Sequence, residues 1–150
     1  MKIEDEIKQK SFTSEYLKAN INLIYTANWA SLKITHVLKP FGITPQQFNI
    51  LRILKGRACQ PASIKELTER MLDKSSNASR LVDKLLIKGL VNKETCDDDN
   101  RRTDVILTEE GLEVVNNASI AVENEISIMF ASLTLEEAVQ LNQLLDKIRD

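Results

Sequence analysis

The residues of this chain best suited to chemistry are hydrogen-bond donors rather than nucleophiles. Ser75, Ser76, Asn77 and Ser79 lead into Arg80 and Lys84, and a second basic pair, Arg101 and Arg102, stands about twenty residues further on. A guanidinium can donate two parallel bonds to guanine, and a carboxamide can both donate to and accept from adenine, so the set suits reading of base edges. Ser76, Arg80 and Lys84 recur at four-residue spacing, which puts them on one helix face, with Ser75, Asn77 and Ser79 flanking. Small polar side chains at a helix start also allow close approach to phosphate. The bland alternative is an ordinary solvated face, with Arg80 paired to Asp73 or Asp83 and the arginine pair a solvated hairpin tip.

Covalent and metal chemistry find few candidates. His36 is the single histidine, so neither a histidine cluster nor a histidine-dependent relay can be assembled. Four glycines form no phosphate-cradling loop. Cys59 and Cys96 have no CxxC spacing and read as reduced thiols, with a redox switch as the alternative. The expectation is a protein that is not an enzyme and holds no metal or cofactor.

Charge is distributed unevenly. The net charge is −2, yet residues 52–93 hold ten Lys/Arg against four Asp/Glu, net +6. Residues 103–150 hold two against ten, net −8, and residues 94–102 are net −2 because Glu94, Asp97, Asp98 and Asp99 stand against the two arginines. Such asymmetry marks one end for a polyanion, expected to be double-stranded DNA. Hydrophobic content of 43% and charged content of 28% are ordinary for one soluble domain. No signal peptide or membrane-spanning run is visible, so the expected compartment is the cytoplasm, with no membrane partner.

The elements that must position these groups are legible from punctuation. Residues 11–38 read as one long helix, with Tyr25, Trp29, Lys33 and His36 at three- or four-residue steps, ended by Pro40 and Gly42. Thr44-Pro45-Gln46-Gln47 and Ser63-Ile64-Lys65-Glu66 are capping boxes. The second opens a helix-turn-helix over 63–89, with the turn near 72–74 and a helix from Lys74 to Lys88, stopped by Gly89. Val91–Cys96 and Arg102–Leu107 form a hairpin around a turn at 97–101. Thr108 caps a helix to about Ala131, and Thr134 caps the last one. The expected fold is mainly α with a small β-hairpin wing: a winged helix-turn-helix lobe at 44–107, its wing at 91–107, plus outer helices at 11–38 and 108–150. The outer helices have apolar stripes wide enough to require a second copy of the chain.

The series Asp99, Arg101, Val105, Leu107, Thr108 and Gly111, with the run Arg80 to Val91, resembles the MarR family of bacterial transcription regulators. The resemblance implies a repressor in which the outer helices intertwine into a homodimer. Its two recognition helices would read a palindromic operator about 34–36 Å apart. It also implies that Asp99 orients the wing so that Arg101 reaches DNA. A small aromatic or anionic effector would sit between the outer helices and the lobe, with Tyr25, Trp29, Lys33 and His36 as its lining, or with Tyr25 and Trp29 in the dimer core instead. Family members that sense peroxide carry a cysteine early in the first long helix, and this chain has none there. The competing classes are a winged helix that docks a partner protein and a thiol-based redox regulator.

Overall fold

The computed structural model describes residues 1–58, 60–96 and 99–150, with the side chains of residues 95, 96 and 99–102 outside that description. The expectations for Cys59, Asp97 and Asp98, and for the side chains of Cys96, Asp99, Arg101 and Arg102, therefore lie outside the described residues.

The first long helix, α2 (Glu15–Leu38), begins where the Ser14 hydroxyl accepts from the Leu17 N–H, four residues later than the sequence suggested. It ends in a 3-10 turn, Lys39–Phe41, closed by Gly42 at φ +67°. Before it lies a short helix, α1 (Ile3–Glu6), too brief for periodicity to reveal. Glu4 pairs with Lys18 at 2.6 Å, and Glu6 accepts from the Tyr25 hydroxyl at 2.7 Å, so α1 is strapped onto α2.

The lobe starts with α3 (Pro45–Gly56), whose capping box is formed as expected: Gln47 N donates to Thr44 Oγ1 and Thr44 N to Gln47 Oε1. Next come β1 (Ala62–Ser63), α4 (Ile64–Arg70), α5 (Ala78–Ile87), β2 (Val91–Cys96) and β3 (Asp99–Leu107). The strands form one antiparallel sheet in the order β1-β3-β2. Val105 lies opposite both Ala62 and Lys93, which makes β3 the central strand and buries Val105 completely. Strand β1 was invisible in the sequence because two residues carry no alternation. The hairpin is tighter than expected, with Cys96 opposite Asp99 after a register irregularity beyond Thr95.

Two helices complete the chain, α6 (Glu109–Met129) and α7 (Leu135–Lys147). The core collects Leu38, Leu51, Leu54, Leu67, Leu85 and Val115 into one cluster at the lobe. It stops at Val122 on α6, and α7 buries no residue within the chain.

One junction fixes the lobe to α6. Helix α5 ends in a Schellman arrangement: Gly89, at φ +71°, donates to Leu86 O, and Leu90 N donates to Leu85 O. Thr108 then donates its N–H to Leu90 O and its hydroxyl to Gly89 O, while accepting from Gly111 N. A Cβ at Gly111 would stand 1.9 Å from Leu90 O, so only glycine allows this approach.

Candidate nucleic-acid interface

The approach to α5 is built by short side-chain contacts. The Ser63 capping box opens α4, with Glu66 Oε2 accepting from Ser63 N at 2.7 Å and Oε1 from Arg57 at 3.2 Å. Arg57 also donates to Pro61 O, which staples the α3 exit to the α4 start. The turn that follows is longer than expected. Leu72 N donates to Asn49 Oδ1 at 2.9 Å, and Asp73 accepts from both the hydroxyl (2.6 Å) and the N–H (3.0 Å) of Ser75. Those bonds, the Ser75 hydroxyl first, hold the Asp73 carboxyl below its usual range despite slight desolvation.

Helix α5 consequently begins at Ala78, not Lys74. Asn77 is its N-cap, and its side-chain oxygen accepts from Arg80 N at 3.0 Å. The reason is local: a carboxamide that satisfies an orphan N–H stabilises the helix end and sets the boundary there. Ala78, Val82 and Leu85 are buried, and Ser79, Arg80, Asp83 and Lys84 face solvent. Asp83 pairs with Lys93 of β2, and Asp73 is occupied by Ser75, so neither carboxylate is the partner of Arg80. Among the described residues, the Arg80 and Lys84 side chains have no partner.

The six residues expected on the reading helix thus divide. Ser79, Arg80 and Lys84 form its outward face. Ser75 and Asn77 spend their side-chain oxygens on the turn and the cap, and Ser76 is half-buried with its hydroxyl oxygen enclosed. Asn49 was missed, although a polar residue inside the apolar stripe Phe48, Ile50 and Leu51 is a readable signal of a buried task. Arg52 was missed too. It is exposed on α3 with its guanidinium 5.8 Å from the Phe48 ring centre.

A capped helix, a turn held by side chains and an outward basic helix beside a small antiparallel sheet make a winged helix-turn-helix. The sequence pattern that defines the MarR family matches residues 43–103. Over 107 residues the chain is 27% identical to the HTH-type transcriptional regulator MhqR of Bacillus subtilis, covering 71% of this chain and 72% of that one. It is 26% identical over 144 residues to the HTH-type transcriptional repressor IacR of Pseudomonas putida, covering 96% and 81%. In fold it is similar to an organohalide-sensing transcriptional regulator in its 2,4-dichlorophenol-bound form, at a TM-score of 0.84 and 21% identity, covering 94% and 85%. Residues 43–103 thus match the MarR family, and the likeness to these regulators extends along most of the chain.

MarR-family proteins are transcription regulators and not enzymes, and this chain is read accordingly. Within that frame, the residues by which the sequence was recognised separate into two jobs. Val105, Leu107, Thr108 and Gly111 are structural: Val105 is buried, Leu107 packs on the core, and Thr108 and Gly111 lock α6 to the α5 exit. The backbone of Asp99, Arg101 and Arg102 lies on β3, at the hairpin end remote from that lock.

The residues expected to line an effector cleft are also split up. Tyr25 donates to Glu6, which raises its phenol above the usual value. Lys33 lies 6.0 Å from the Trp29 ring centre and 3.8 Å from Glu125 of α6. His36 lines an open cavity of about 260 Å³ at the α2–α3 junction, with Thr35, Lys39, Gly42, Ile43 and Thr44. Of the four expected residues, His36 is the one that borders this cavity. The others share a face with His36 but stand one to three turns earlier along α2, whereas the cavity lies against its last turn.

Proposed function

We propose that the chain represses transcription by binding a palindromic operator in double-stranded DNA as a homodimer, and that a small aromatic or anionic ligand releases it. The observation that carries this reading is the outward face of α5, where Ser79, Arg80 and Lys84 project from a helix whose other side is locked into the core. Arg80 addresses base edges in the major groove, and Lys84 addresses phosphate. Ser75, Ser76 and Asn77 hold the helix start close to the backbone of the duplex. Arg101 and Arg102 enter the minor groove, oriented by Asp99.

Surface area supports the homodimer. The chain exposes 10714 Å², against about 7,700 Å² for a compact monomer of 17.0 kDa. The excess coincides with apolar side chains left uncovered on the outer helices, including Ile24, Trp29 and Leu32 on α2 and Leu135, Leu144 and Ile148 on α7. A patch this large requires a partner face. We assign the ligand to the cavity lined by His36, Lys39 and Ile43, which combines polar groups with apolar surface. The dichlorophenol bound by one structural neighbour supports a ligand of that size and class.

Selection of bound sequences from random DNA tests the reading. The expected outcome is a palindrome with half-sites about 10 base pairs apart, whose affinity falls steeply with salt. Arg80→Ala should lose about tenfold to a hundredfold in affinity and relax discrimination at one position of each half-site. No enriched sequence, or binding indifferent to salt, would sink it.

A further inference from the structure

Lys88, at the end of the reading helix, is exposed but reaches back to the α2–α3 junction. Lys88, the C-cap of α5, sends its ammonium across forty-odd residues of sequence to Gly42 O and to Gln47 Oε1, the latter at 3.2 Å. Gln47 is the one polar residue of the described chain that is fully buried, at 2% exposure. Its single oxygen serves two donors, the Thr44 N–H at 3.1 Å and the Lys88 ammonium. Gly42 and Thr44 are walls of the cavity at the α2–α3 junction. The far end of α5 is therefore tied to the wall of that cavity, while the turn leading into α5 is tied to the same α3 through Asn49 and Leu72.

We propose that Lys88 is a positioning residue for DNA reading, which sets the angle of α5 by fastening its C-terminal end to Gln47 and Gly42 and makes no phosphate contact. A lysine at the end of a basic helix would ordinarily be assigned to the DNA backbone; Lys88 is exposed, but its ammonium is engaged by a buried carboxamide oxygen and a main-chain carbonyl, a charge-assisted pair of bonds. The proposal rests on the DNA-binding reading for its consequence, and on the free protein for its geometry. Because the cavity and α5 share this anchor, whatever fills the cavity acts on the reading helix through Gly42 and Gln47.

Operator titrations across a salt series separate the roles. Lys88→Met should weaken binding about tenfold with an unchanged salt slope. Lys88→Arg should restore most of the loss, and Gln47→Glu, which keeps an acceptor in the same place, should bind like the wild type. A salt slope shallower by about one in Lys88→Met would make Lys88 a phosphate contact, and an unchanged affinity would leave it idle; either overturns the proposal. Nitrogen-15 NMR of lysine ammonium groups in the free full-length protein is the second measurement. It should show the Lys88 signal exchanging slowly with water, and exchange as fast as that of the exposed lysines would refute the tether whether or not DNA binds.

Discussion

The winged lobe and the outer helices both present apolar helix faces, but those faces meet opposite fates. In the lobe, Leu51, Leu54, Leu67 and Leu85 are completely buried by residues of the same chain. On α7, built from an equally regular apolar stripe, Leu135, Val139 and Leu144 remain exposed, as does Ile148 at its C-cap. The difference teaches that amphipathic period specifies a helix with a buried face, and says nothing of which molecule supplies the other side. The lobe is finished by one chain, while the outer region keeps an uncovered apolar face, the one assigned above to the proposed homodimer.

The strongest way to break this comparison is at the junction between the two regions. Gly111→Ala drives a Cβ into the Leu90 carbonyl, which neither backbone can yield without undoing the α5 exit. The expected loss is about 3 kcal/mol or more, read from urea unfolding. Wild-type stability would show that the lobe and α6 are not locked as described.

A paired truncation sharpens the contrast. Leu54→Ala, in the lobe, should cost about 2–5 kcal/mol at any protein concentration. Leu144→Ala, on α7, should lower the unfolding midpoint only at concentrations where the homodimer forms, because the side chain is 53% exposed in one chain. A Leu144 effect that ignores concentration would mean that this face is not an interface.

Smaller effects belong to the turn before α5. Asn77→Ala removes the cap and should cost about 1 kcal/mol, whereas Asn77→Asp retains it. If Asn77→Ala left stability intact, the cap would not set the helix start. The pH response is the mildest. The Asp73 carboxyl is held below its unfolded value, so its contribution is present above the ordinary aspartate range of about 3.9 and fades as pH falls through the lower folded value. Asp73→Asn should therefore flatten acid unfolding slightly. An unaltered acid limb would remove Asp73 from the account of the turn.

Reading the sequence recovered what local chemistry writes down. The capping boxes at Thr44, Ser63 and Thr134 are all formed, and Gly89 ends α5 with a left-handed residue. The helix-turn-helix and the hairpin are both present, although α5 starts later and β3 earlier than the punctuation put them. Less legible was the start of α5. Lys74, Ser75 and Ser76 are compatible with a helix, and only the bonds of Asp73 to Ser75 and of Asn49 to Leu72 make them a turn. Those partners are close in space and, for Asn49, distant in sequence.

The candidate site divides along the same line. Ser79, Arg80 and Lys84 were readable because helical spacing alone puts them opposite Ala78, Val82 and Leu85. The side-chain partners of Tyr25 and Lys33 were not readable, because Glu6, approaching from α1, and Glu125, on α6, are brought to them by folding. By itself, then, the sequence determined the winged helix-turn-helix, its caps and the basic face of α5, since each follows from contacts within a few residues. Tertiary structure decided which polar groups are spent on building the lobe, the reach of Lys88 back to the α2–α3 junction, and the demand for glycine at position 111. Each of those depends on groups brought together by folding, and no local pattern encodes them.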